Sequence, residues 1–268
     1  MLQWILFIVS VLLIAGCATQ SVTTLTTNPT ESPPRTEEPR VVHLGRSVNG
    51  APITMELFGH GPRPIFIMGG IHGDEPTSVD VAKNLAELLR EQPHLTRNVP
   101  VAILAVASPD GYAKKLRLNE RGVDLNRNFP AKNFPFENPP PRNGPYPLSE
   151  PESQAILAAI NTLEPRLLIS IHSITRGREC NNYDGPAGKP AADLMSTHNG
   201  YPSVESIGYP TPGSLGSYAG IDRAIPMVTL ELPRTDPAEK AWSDNREALL
   251  AVIRMEQSKP QMHADERR

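Results

Sequence analysis

Four ionisable residues stand at the ends of short apolar runs. Ile65–Met68 leads through Gly69-Gly70-Ile71 to His72, with Glu75 three residues on. Leu167–Ile171 runs directly into His172, and Met227–Leu230 into Glu231. Runs of this length and composition read as strands buried on both faces. Open α/β sheets take ligands beyond the carboxyl ends of their strands, so all four side chains are expected at one edge. Two histidines and a glutamate suit zinc, which accepts nitrogen and oxygen donors tetrahedrally and keeps one position open for water at a catalytic site. The second glutamate can take a proton from that water. A lone His-x-x-Glu pair is common; the convergence of three strand ends is what carries the reading.

The elements that must position these groups are legible in outline. Val41–Leu44 and Ile53–Phe58, joined through Asn49-Gly50, predict a hairpin. Val101–Val106 predicts another buried strand, while Val79, Ala82, Leu85, Leu88 and Leu89 share one face of a helix. Ser149 with Glu152 three residues later spells a capping box opening a second helix through Ile156 and Ile160. A last helix starts at Asp236-Pro237 and runs through Ala248, Leu249, Val252 and Ile253. Strands alternate with helices, so residues 41–257 are expected to form a single α/β domain, a mostly parallel or mixed sheet flanked by helices. Pro130–Pro147, with three consecutive prolines, predicts a long surface loop.

Composition narrows the class. The chain has 268 residues, 39% hydrophobic and 21% charged, enough to bury a sizeable core. A net charge of −3 argues against electrostatic capture of nucleic acid. Two cysteines exclude a disulfide framework. Trp4–Gly16 is apolar but shorter than the ~20 residues a membrane-spanning helix needs, so residues 1–16 read as a secretory signal. The string Ile14-Ala15-Gly16-Cys17 resembles the bacterial lipoprotein box, which implies acylation of Cys17 as the mature N-terminus. By the same resemblance, Ala18 favours an outer-membrane anchor, facing the periplasm of a bacterial envelope. Residues 17–40 are rich in Thr, Ser and Pro and read as a flexible tether, and 258–268 as a charged tail. Cys180 is then a free thiol or a packed core residue.

Five strings, in order, carry a further resemblance: GGIHGDEP at 69–76, SPDGY at 108–112, GVDLNRNFP at 122–130, SIHS at 170–173 and TLELP at 229–233. Together they resemble the zinc carboxypeptidase family, and within it the bacterial murein peptide amidase branch. The resemblance implies one zinc per chain on His72, Glu75 and His172, with Glu231 as general base and acid. Asp124 would hydrogen-bond His72, and Asn126 and Arg127 would grip the C-terminal carboxylate of a peptide. Arg117, or Arg121 four residues on, would stabilise the oxyanion; Asn128 receives no chemical role. GYPTPGSLGSYAG at 208–220 resembles the family's substrate cap. Tyr209 is either its phenol or a tyrosine packed in a Pro/Gly turn, with Ser214 and Leu215 near the side-chain pocket. The polar stretch 176–186 offers Asp184 or Arg178 to the amine or carboxylate of a diaminopimelate side chain, or simply solvated loop charges. The implied reaction is hydrolysis of a murein peptide between γ-D-glutamate and diaminopimelate. Two other readings are a small-molecule amidase of the aspartoacylase or succinylglutamate desuccinylase type and a catalytically silent peptide-binding lipoprotein.

Overall fold

The computed structural model describes residues 38–258. The signal-like run, Cys17, nearly all of the tether and the tail after Ser258 lie outside the described residues. Eight strands build one mixed sheet: β1 (Arg40–Arg46), β2 (Pro52–Phe58), β3 (Ile65–Met68), β4 (Val101–Leu104), β5 (Leu167–Ile174), β6 (Cys180–Tyr183), β7 (Ser203–Val204) and β8 (Met227–Pro233). Their order is β1-β2-β4-β3-β5-β8-β6-β7. The central four, β4-β3-β5-β8, are parallel, the β1–β2 hairpin adds antiparallel to β4, and β6 adds antiparallel to β8.

Helices cover both faces because the central strands are apolar on both. Ile65, Ile67, Ile169 and Ile171 pack into one cluster with Val81, Leu85 and Leu89 of α1 (Pro76–Glu91). Residues of α4 (Lys189–Asn199) and α5 (Ala238–Ser258) join them there. The alternate residues Phe66, Met68 and Leu168 face Ile156 and Ile160 of α3 (Pro151–Leu163), together with Leu125 and Phe129. The short α2 (Pro109–Lys114) lies between β4 and α3 in the chain. Each fully buried Ile, Leu or Phe contributes roughly 1.5–3 kcal/mol.

Four expectations are revised. The strands expected to end at Ile171 and Leu230 continue to Ile174 and Pro233, so His172 and Glu231 lie inside β5 and β8 and face each other in register. The strand expected over Val101–Val106 stops at Leu104. The polar stretch 176–186 holds β6, where the buried Asn181 side chain donates to Tyr201 O at 3.0 Å and to Asn199 Oδ1 at 3.1 Å. Acceptors at the end of α4 and in the loop after it satisfy this side chain, so polarity did not mean loop. No capping box forms at Ser149. α3 starts at Pro151, Ser149 Oγ donates to Glu150 Oε1 at 2.8 Å, and Glu152 instead accepts the amide of Val48 at 3.1 Å.

Candidate active site

The side chains expected to hold a metal converge at the carboxyl edge of the parallel strands. His72 lies in the turn after β3, where the backbone of Gly73 packs against that of Gly111; a Cβ at 73 would stand 2.0 Å from the Gly111 carbonyl carbon. Only glycine leaves room for that approach. His72 Nδ1 lies 3.0 Å from Glu75 Oε1 and 3.2 Å from His172 Nδ1, and His172 Nδ1 lies 3.1 Å from Glu75 Oε2. Donors ~2.0–2.1 Å from a tetrahedral zinc are separated by roughly 3.3 Å, so these three fit one face of a zinc tetrahedron. Both Nε2 atoms face outward to fixed partners: that of His72 meets Asp124 Oδ1 at 3.0 Å, and that of His172 meets Ser170 Oγ at 3.1 Å. Such partners set the ring orientation and, for a carboxylate, raise ligand basicity.

The electrostatics match the geometry. Burial would lower the pKa of His72, but Glu75 and Asp124 outweigh it and hold it at about 9. Burial would raise the carboxyls of Glu75 and Asp124, yet the histidines, joined at Asp124 by Arg117, keep both well below the usual range. A metal cation must therefore displace a proton from this cluster. Glu231 goes the other way: burial and then the charge of Glu75 raise its pKa against the pull of His172. A carboxylate so raised is a stronger base than an ordinary one toward a water proton.

A cavity of about 510 Å³ opens over this centre. Arg127, 7% exposed, lines it beside Asn126, whose Oδ1 accepts the amide of Leu215 at 2.9 Å and so turns its Nδ2 group toward the cavity as a donor. Arg117 lines it too, 3.1 Å from Glu75 Oε1 and 3.2 Å from Asp124 Oδ2. Arg121 does not: it reaches toward Glu150 and the carbonyl of Ser149. Tyr209 is on the cavity rim, 44% exposed, with the Arg178 guanidinium 5.8 Å from its ring centroid. Asn128 is buried away from the cavity, where its Nδ2 group donates to Asn143 O, Tyr146 O and Ser149 Oγ and pins the proline-rich loop.

Residues 34–183 match the model of the family described as zinc carboxypeptidase. The chain belongs to the zinc carboxypeptidase family. It is a hydrolase, and zinc is the cofactor its ligand set fits. It is 33% identical over 215 residues to murein peptide amidase A of Escherichia coli strain K12, covering 75% of this chain and 82% of that protein. With the Vibrio campbellii protein of the same name it shares 28% over 242 residues, covering 82% and 91%. Among solved structures it resembles the murein-tripeptide amidase of E. coli O157, with a TM-score of 0.67, 29% identity, and 83% and 94% of the two chains covered.

Within this zinc carboxypeptidase, two features of the cavity were not in view from the sequence. Leu215, expected near the side-chain pocket, turns into the core beside Phe129 and Leu125, 1% exposed. Ser214 and Gly216, on either side of it, line the cavity in its place. Gly216 is what admits Asp184: a Cβ at 216 would stand 2.3 Å from Asp184 Oδ1. Thr229 Oγ1 donates to Asp184 Oδ2 at 2.9 Å, and burial pushes the Asp184 carboxyl up to about 6 against that bond. The second feature is Arg234, which no motif string includes; it lines the cavity beside Glu75. The signal for both was absent because each depends on which loops fold over the strand ends.

Proposed function

We propose that this enzyme removes the C-terminal residue of murein peptides at the bond between γ-D-glutamate and diaminopimelate. The observation that carries the reading is Asp184, a carboxylate held at the cavity wall by Thr229 and Gly216, where an ammonium on the departing side chain would meet it. Diaminopimelate carries that ammonium. The relatives named as murein peptide amidases support the same reading.

The residues divide the reaction between them. Arg127 and the Asn126 amide group bind the substrate's terminal carboxylate, the planar guanidinium matching its two oxygens. That leaves the scissile carbonyl over His72, Glu75 and His172, with Arg117 beside it to meet negative charge as it develops on oxygen. These three residues would hold zinc, which would supply a Lewis acid at the carbonyl and lower the pKa of a water there. Glu231 takes the water's proton and delivers it to the leaving amine. Asp124 keeps His72 in the orienting tautomer, and Tyr209 closes the rim over the bound residue.

The location belongs to the same proposal. Acylation at Cys17 would hang the enzyme from a membrane by residues 18–40, with a typical reach of roughly 25–30 Å for a flexible chain of that length. The enzyme would then meet wall peptides in the envelope, at the periplasmic side of the outer membrane. Two measurements test the reading. The full-length protein should release diaminopimelate from L-alanyl-γ-D-glutamyl-diaminopimelate, detected by mass spectrometry, and leave a plain hydrophobic peptide nearly untouched. The reverse preference would refute the substrate. Palmitate labelling and detergent-phase partitioning should be lost in Cys17→Ser; an unlabelled, freely soluble wild type would refute the anchor.

A further inference from the structure

Strand β8 is a ruler laid through the cavity. Thr229, which holds Asp184, comes first, then Glu231, then Arg234 just past the strand end. At ~3.3 Å per residue, the backbone of Arg234 lies about 10 Å beyond that of Glu231, on the side away from Asp184, and its side chain turns back to reach Glu75. If the departing residue occupies the Asp184 end, the Arg234 end faces the acyl half of the substrate.

Arg234 is held in place there. Its amide donates to Ile174 O at 2.8 Å, extending the register of β5 and β8 by one bond. Nη1 donates to Asp74 Oδ2 at 2.9 Å, and Nη2 donates to Ser173 O and to Glu75 Oε1, both at 3.1 Å. These bonds use three of the guanidinium's five N–H groups. Nε–H and one Nη1–H remain, on a side chain 41% exposed and lining the cavity. Asp74, Ser173 and Glu75 fix the guanidinium in place, and each remaining N–H can donate one charge-assisted hydrogen bond to an anion in the cavity.

We propose that Arg234 reads a carboxylate on the acyl side of the scissile bond. Where that carboxylate comes from rests on the proposed murein substrate. A γ-linked glutamyl residue keeps its α-carboxylate free, three carbons from the scissile carbonyl, whereas an ordinary α-linked residue carries the next peptide group near that place. The γ-linkage thus presents a charge that an ordinary peptide lacks, and Arg234 distinguishes the two.

The test compares L-alanyl-D-glutamate with L-alanyl-D-isoglutamine, which lacks the α-carboxylate, as inhibitors of the full-length zinc enzyme. The assay substrate is whichever peptide with a cationic C-terminal residue the wild type cleaves. The free acid should bind the wild type roughly 10-fold or more tightly than the amide, the scale of a charge-assisted hydrogen-bond pair. Arg234→Gln should erase that preference, and Arg234→Lys should restore part of it. Equal inhibition of the wild type by the two dipeptides overturns the proposal whether or not either variant folds. Equal weakening of both by Arg234→Gln also overturns it, because Arg234 would then act only through Glu75. Retained discrimination by an enzyme that fails to cleave γ-glutamyl-diaminopimelate would support Arg234 as the reader and refute the murein reading alone.

Discussion

The cavity has two halves built in different ways. The hydrolytic half rests on the sheet: His72 and Glu75 follow β3, His172 and Glu231 lie within β5 and β8, and all four are 2–7% exposed. The half that would hold the departing residue is carried by loops, with Asn126, Arg127, Arg178 and Tyr209 on segments outside the sheet. Groups that must hold a metal to a few tenths of an ångström need rigid supports, whereas recognition can ride on segments free to vary. Asp184 crosses the divide. It follows β6, yet Thr229 on β8 and the bare Cα of Gly216 clamp it as firmly as a ligand. A charge that must stay desolvated to be selective has to be held by the sheet.

That contrast can be broken at graded depth. The largest effect should follow loss of the metal: chelation should abolish turnover, and His172→Ala should lose zinc by elemental analysis, since two ligands remain. Glu231→Gln should keep its zinc and its melting temperature while kcat falls at least ~10²-fold, the usual worth of general-base catalysis. A smaller, substrate-dependent effect is expected at the loop half. Arg127→Ala should raise KM for a free C-terminal acid roughly 10–100-fold, as for a lost charged hydrogen bond, with little further cost on the C-terminal amide.

The finest test lies at Asp184. Its carboxyl titrates at about 6 and must be ionised to hold an ammonium. KM for a substrate with a cationic terminal residue should therefore rise as pH falls through 6, while KM for a neutral terminal residue stays flat across that range. Asp184→Asn should remove the difference between the two profiles. Gly216→Ala should mimic it, because a Cβ 2.3 Å from Asp184 Oδ1 must push the carboxylate aside, read as a KM rise confined to the cationic substrate. An equal loss on both substrates would show that the clamp supports the hydrolytic half as well.

What the sequence determined by itself was the chemistry of the edge. Apolar runs interrupted by His and Glu can be buried only if their polar ends meet a partner, and zinc is the partner that two histidines and a glutamate share. The proximity of His72 to Asp124, read from the DLNRN string, came with the family pattern. The sequence did not reveal that β5 and β8 continue through their functional residues. A ladder between neighbouring strands supplies hydrogen bonds that no local signal records, and the same blindness hid β6 within a polar stretch. Leu215, Gly216 and Arg234 mark the limit most clearly. Whether a side chain in a loop faces the core or the cavity is decided by the segment that packs on it from far along the chain. Only the tertiary structure brings Gly216 against Asp184, or Asp74 against Arg234, because those contacts are made between loops whose sequences carry no periodicity to reveal their faces.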